Sequence, residues 1–317
     1  MSVLYLSEAD VDRLVDMPTA VEVCEEAFRR WAAGEADNVP RARAQGPGII
    51  LHTMSAAAAY LGLVGWKCYT TTRGGARFRL GLYDTSGAMV AIIEADKLGQ
   101  LRTGATTGVA VQAMADPAAT EVGLFGAGWQ AQSQLAAVAA VRPIRVAYVY
   151  SRNEAKRQEF AETMAARLAI DVRPVDRPQD AAEDLPIVIT ATTSREPVFD
   201  GNWLAEGSLV CAVGSNWPSR AEIDSTVIRR ADNIVCDCVK ACQIEAGDFT
   251  TAIEKGIFDW PRAVNLADVV TGRATGRNTR DSIALFKSVG LALEDVALGG
   301  KVLERARQHG VGRAVAI

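Results

Sequence analysis

TEVGLFGAGWQAQSQLAAVAA, residues 120–140, is the stretch that decides the fold. Val122 to Phe125 is an apolar run of the kind a strand buried on both faces needs, and it stops at Gly126-Ala127-Gly128, where helix formers begin. Strand, glycine turn and helix are the opening of a dinucleotide-binding βαβ unit. Gly126 permits the tight turn, Gly128 lets the backbone approach a pyrophosphate, and Ala131 is small enough for helix and strand to pack closely. The helix start at Trp129 and Gln130 points free N–H groups and the positive end of the dipole at the phosphates. A second strand, Val146 to Tyr150, follows at the distance such a unit requires.

From Glu121 onward apolar runs alternate with helical segments: Asp171–Pro174, Ile187–Ala191, Ser208–Val213 and Asn233–Cys236 are further strands. The prediction is an α/β protein with a doubly wound, parallel Rossmann sheet over 119–295. Residues 1–118 read differently. Val3–Leu6 is a short strand, Ser7 with Asp10 makes a capping box, and Pro18 opens a helix that Gly34 closes. Extended pieces follow at Ile49–Met54, Leu61–Thr70, Phe78–Tyr83 and Ala88–Glu94, the last two joined through Asp84-Thr85-Ser86-Gly87 as a hairpin. Asp96–Ala115 is a long linking helix and Asp281–His309 reads as apolar at helical spacing, so 296–317 is expected to complete an α+β domain that binds substrate and dimerises.

With 317 residues, 49% hydrophobic, 23% charged and net charge −4, the composition gives no electrostatic reason to bind nucleic acid. No basic leader precedes an apolar run and no window approaches the ~20 apolar residues of a membrane span. A cytoplasmic protein is expected. The six cysteines are too sparse for a disulfide scaffold, and Cys236, Cys238 and Cys242 lack zinc spacing, with only His52 and His309 elsewhere, so no metal is expected.

A site for NAD carries an acid about 20 residues past the glycines. Here the second strand ends in Ser151-Arg152-Asn153, where a hydroxyl and a guanidinium suit a 2′-phosphate and no carboxylate repels it, so NADP(H) is favoured over NAD(H). Thr192 and Ser194, after IVITAT, are further candidates for cofactor contact. Three cations stand out for a substrate: Arg41 after Pro40, Lys67 inside the apolar strand VGWKCYT, and Arg102 among small residues on the long helix. A lysine in an apolar strand costs several kcal/mol unless paired or solvated in a cleft, and Arg102 needs either a crevice or a carboxylate partner. Together they suit a clamp for a substrate carboxylate. Asn216 and Trp217, in VGSNWP after a strand, add a group that can hydrogen-bond but takes no proton and an aromatic wall. Asp237 and Asp295 are acids for which capping or surface roles serve as well.

VPRAR, GWKCY, LRTGATTG, LFGAGWQAQ, AVGSNWPSRAEID and DSIALFKSVGLALED, in this order, resemble the ornithine cyclodeaminase/mu-crystallin family over nearly the whole chain. The resemblance implies a homodimer, a Rossmann domain set inside a substrate domain, and binding of the carboxylate of a small amino or imino acid by Arg41, Lys67 and Arg102. In the cyclodeaminases an aspartate stands where this chain has Asn216. The resemblance therefore points to a ketimine reductase or amino-acid dehydrogenase, in which Lys67, Arg102 and Asn216 are the catalytic candidates. Its alternatives are ornithine cyclodeaminase itself and a non-catalytic NADPH-binding protein of the mu-crystallin kind.

Overall fold

A computed structural model describes residues 2–316. The chain divides into two compact units, 1–106 with 291–317, and 107–290. In the first unit β1 (Ser2–Leu6) leads through the Ser7 capping box into α1 (Glu8–Leu14). Then Asp16, whose side chain accepts from Thr19 N at 3.0 Å, starts α2 (Met17–Ala32), an N-cap that contributes about 1 kcal/mol. A meander follows: β2 (Ala36–Gly46), β3 (Ile49–Ala58), β4 (Leu63–Thr72), β5 (Gly75–Asp84) and β6 (Met89–Glu94). The hairpin into β6 turns at Gly87, with φ +82°. α3 (Asp96–Met114) leaves this unit for the second.

The second unit alternates as the glycine turn demands. Its elements are β7 (Glu121–Phe125), α4 (Trp129–Val141), β8 (Val146–Tyr150), α5 (Glu154–Leu168), β9 (Asp171–Pro174), β10 (Ile187–Thr190) and β11 (Leu209–Ala212). Then come α6 (Ser225–Arg230), β12 (Asn233–Cys236), α7 (Val239–Glu245), α8 (Thr250–Glu254), β13 (Ala263–Asn265), α9 (Leu266–Val270) and β14 (Ala284–Lys287). The chain returns to the first unit with α10 (Ala292–His309) and β15 (Arg313–Ala316).

The eight strands of the second unit lie in the order β13-β12-β14-β11-β10-β7-β8-β9, and every pairing is parallel. The order reverses between β7 and β10, which is the switch point of a Rossmann sheet. In the first unit the order is β15-β1-β6-β5-β4-β3-β2, mostly antiparallel, with α10 lying on β3, β4 and β5. Side chains alternate across that sheet: His52, Met54, Lys67, Tyr69, Leu80 and Leu82 are buried, while Val39, Ile49, Leu51 and Val64 are exposed on the opposite face.

Four expectations change. DSIALFKSVGLALED is not one helix: β14 occupies its first half in the centre of the parallel sheet, because an apolar run buried on both faces has no period that separates strand from helix. Residues 296–317 are not all helical, since Gly310 (φ +64°) ends α10 and β15 pairs antiparallel with β1. β2 is a strand despite Pro40, tolerated because β2 is the sheet edge and the register shifts between Val39 and Ala42. The units change over at 106/107 and 290/291, earlier than 118/119 and 295/296. The carbonyls of the end of α3 are held within the second unit, Val111, Gln112 and Ala115 by Arg142 and Met114 by Arg277, and Leu293 N donates to Asn38 within the first. Among the described residues, no helix is long and apolar enough to cross a membrane.

Gly123 sits mid-strand in β7, where a Cβ would lie 1.9 Å from Ala181 O. Backbone cannot retreat in a close-packed interior, so Gly123→Ala should destabilise the second unit by about 2–3 kcal/mol, read as a lower urea midpoint. An unchanged midpoint would show that residues 178–181 yield freely.

Candidate functional site

The carboxyl ends of β7, β8 and β10 enclose a cavity of about 620 Å³ lined by Gly126, Gly128, Ser151, Arg152, Asn153, Thr192 and Ser194. Its glycines are constrained in two ways. Gly126 has φ +115°, and a Cβ there would meet Ala191 O at 2.4 Å, whereas a Cβ on Gly128 would project into open space with nothing within 4 Å. That open space lies at the amino end of α4, whose N-cap Gly128 supplies no side-chain cap, so no N-cap side chain competes with an anion for the helix N–H groups. These residues fit the pyrophosphate of a dinucleotide. Trp129, 53% exposed, Gln130 and the buried Ala131 begin α4 beside the cavity rather than in its lining.

The end of β8 is arranged by a residue the sequence reading passed over. Arg157, buried on α5, donates to Ser151 O at 3.1 Å and pairs with Asp176, which fixes the backbone at Ser151. Asn153 caps α5 by accepting from Lys156 N at 3.0 Å. Arg152 and Lys156, both exposed, line the cavity, so two cations stand at the end of β8. The signal for Lys156 was its place in the first turn of the helix that follows Ser151-Arg152-Asn153.

Thr192 is held by Glu222, whose Oε1 accepts from its N and Oγ1 at 2.7 and 2.8 Å. Oε2 accepts from Thr190 Oγ1 and from Gly214 N, tying the ends of β10 and β11 together. Ser194 spends its hydroxyl on Glu196 O. Burial pushes the Glu222 carboxyl above its ordinary range, against the pull of Lys287. Lys287, fully buried, reaches Asp248 at 2.7 Å and Ser215 O at 2.8 Å, and so props the loop that carries the half-buried Asn216 and Trp217. Asp237 is buried structure: one oxygen accepts from Ser288, Val289 N and Gly290 N. Among the described residues no group of three or more His, Cys, Asp or Glu is placed to hold a metal.

The first unit gathers Arg41, Lys67 and Arg102, all under 8% exposed. Lys67 Nζ donates to Asp295 Oδ1 at 2.8 Å and lies 5.1 Å from the Phe78 ring centre. Arg102 donates from Nε to Asp295 Oδ1 at 3.2 Å and from Nη1 to Glu294 Oε2 at 2.7 Å. Arg41, at the bulge of β2, stands 6.0 Å over Tyr69, which stacks between His52 and Phe78. A carboxylate partner rather than a crevice therefore answers for Arg102, and Asp295 is neither a cap nor a surface acid. Burial and the nearby Arg102 charge pull the Lys67 ammonium down to about 8, against Asp295, and burial with Arg43 and Arg41 lowers His52 to about 4, leaving its ring neutral at neutral pH. An ammonium has three N–H donors and a guanidinium five, so after these bonds both cations keep donors for a ligand carboxylate.

The chain is 33% identical to Δ1-pyrroline-2-carboxylate reductase of Bacillus cereus over 73% of its own length and 71% of that protein's. Its structure superposes on that of Thermococcus litoralis Δ1-pyrroline-2-carboxylate reductase in complex with NADH and L-proline, with TM-score 0.95, 33% identity and coverage of 99% and 100%. It also superposes on an archaeal alanine dehydrogenase dimer with bound NAD, with TM-score 0.94, 28% identity and full coverage of both chains. The profile of one family matches residues 2–310, and the chain belongs to the ornithine cyclodeaminase/mu-crystallin family.

Proposed function

We propose that the protein is an NAD(P)H-dependent oxidoreductase that reduces a C=N bond next to a carboxylate, as a ketimine or imino-acid reductase or, in reverse, an amino-acid dehydrogenase. The observation that carries the reading is the buried set Arg41, Lys67 and Arg102, of which Lys67 and Arg102 keep donors that suit one carboxylate, in a chain that also builds a dinucleotide cavity. Gly126, Gly128 and the amino end of α4 would hold the pyrophosphate, and the nicotinamide, when bound, supplies or accepts the hydride. Arg102 orients the carboxylate through Nη1 and Nη2. Lys67, charged below pH about 8, supports the same carboxylate and supplies the one proton that the imine nitrogen gains. The amide of Asn216 can hold a nitrogen by hydrogen bonding but moves no proton, which disfavours cyclodeamination.

Several finer features belong to the same reading. NADP(H) is favoured over NAD(H) because Ser151, Arg152 and Lys156 line the cavity at the end of β8. A homodimer is supported by the exposed apolar Val39, Ile49, Leu51 and Val64 on one sheet face, and by the dimeric state of the archaeal relative. The six free cysteines suit a cytoplasmic location.

Screening NADPH oxidation against cyclic imino acids, and against pyruvate with and without ammonia, tests the activity; no turnover with any of them would favour a non-catalytic binding protein. NADPH should bind more tightly than NADH by about 1–3 kcal/mol, and Arg152→Ala should remove most of that difference. Equal affinities in fluorescence titrations of the parent would reject the 2′-phosphate site. Because Lys67 is pulled down to about 8, it is charged below that pH and neutral above it, so kcat/KM for imine reduction should fall about tenfold per pH unit on the alkaline side. A flat profile from pH 7 to 10 would remove Lys67 from proton transfer. With L-ornithine and NAD the protein should release no ammonia; efficient proline formation would instead make it a cyclodeaminase.

A further inference from the structure

We infer that Asp295 is the positioning residue of the carboxylate-binding cations: its Oδ1 receives both Lys67 Nζ at 2.8 Å and Arg102 Nε at 3.2 Å, which fixes the two in register and keeps the proton on Lys67. The inference rests on the reading that Lys67 and Arg102 meet the substrate carboxylate. A capping aspartate would accept from backbone N–H groups of its own helix, yet both bonds to Asp295 come from side chains, of β4 and α3. Its Oδ2 is buried without a hydrogen-bond partner among the described residues, and the residue is wholly inaccessible. A carboxylate desolvated to that degree is tolerable only beside cations that need it.

Lys67 is surrounded from every side. β2 brings Arg41, with Arg43 half-buried next to the neutral His52 of β3; β5 brings Phe78; α3 brings Arg102 and, at Gly99, room for the ammonium; α10 brings Asp295; and behind Arg102 stand Glu294 of α10 and Cys24 of α2, whose thiol burial pushes well up. Desolvation, Arg102 and Arg41 all favour the neutral amine. Asp295 opposes them through its charge and its hydrogen bond, while Glu294 bonds Arg102 instead. Without Asp295 the amine should hold its proton less tightly, and where the proton goes, so do the attraction for a carboxylate and the capacity to donate.

The test is the titration of Lys67 itself in the full chain labelled with 15N-lysine, its Nζ signal being the one that Lys67→Met removes. In the parent it should titrate near 8, and in Asp295→Asn at least about one pH unit lower, with the alkaline limb of kcat/KM moving by the same amount. Titration at the parent value in Asp295→Asn would overturn the inference. Glu294→Gln tests it independently of whether Asp295→Asn folds. That variant should weaken substrate binding through Arg102 yet move Lys67 by less than about half a pH unit. A larger movement would show that the acids act only as diffuse charge, and would overturn the assignment. A parent that reduces no imine would refute the enzymatic reading and leave the titrations to decide the role of Asp295.

Discussion

Three cations cannot be buried together in a protein without acids beside them, and this constraint shapes the first unit. Burying Arg41, Lys67 and Arg102 together sets three like charges in a poorly solvated interior, where each is costly unless paired. Glu294 and Asp295 offset that cost, and both stand on the first turn of α10, the element that returns after the whole Rossmann unit. The chain's end is thus required by chemistry placed in its beginning. Packing enforces the same return: a Cβ on Gly65 of β4 would meet Val296 of α10 at 3.0 Å, and one on Gly299 would meet Leu80 at 2.3 Å, so helix and sheet approach closely enough to bring the acids to Lys67.

The second unit meets a similar problem with the signs exchanged. Glu222 and Asp248 are buried acids and Lys287 the buried cation, and their bonds run to backbone at the strand ends: Thr192 N, Gly214 N and Ser215 O. Loops at the carboxyl end of a parallel sheet are where ligands bind and are also the least regular backbone in the fold. Charge-assisted bonds to that backbone hold Thr192 and the segment before Asn216 in one arrangement. The buried charges here bond backbone, whereas Lys67 and Arg102 of the first unit bond the side chains of Glu294 and Asp295.

What could be read in the sequence depended on whether the signal was local. The glycine turn at Gly126–Gly128, the Ser7 box, the hairpin at Gly87 and the misplaced Lys67 each carry their meaning within a few residues, and the structure holds each where the reading put it. Asp295 carries none: an acid in the first turn of a helix reads as favourable to the dipole, and its partner lies 228 positions away. β14 was hidden because a strand with both faces covered loses its alternation, and β2 because Pro40 argues against a strand unless the strand is known to be an edge. Lys156 lay within reach of local reasoning, in the first turn of α5, but its neighbourhood reads as an ordinary solvated helix face.

The count of protons separates the reactions that one family performs. Reducing an imine adds a hydride to carbon and one proton to nitrogen, so a single group that titrates near neutrality is sufficient. Cyclodeamination must also take a proton from an attacking amine and release ammonia, which calls for a second group able to accept. On the proposed assignment Lys67, brought to about 8 by burial and the Arg102 charge, gives the proton, and Asn216 offers an amide, which takes none. On that assignment, the carboxylate-binding cations and the dinucleotide cavity are what hydride transfer needs, and an amide at 216 leaves out the acceptor that ring closure adds. The loop that carries Asn216 is held through its neighbour, Lys287 donating to the Ser215 carbonyl at 2.8 Å, so that hold does not depend on which side chain stands at 216.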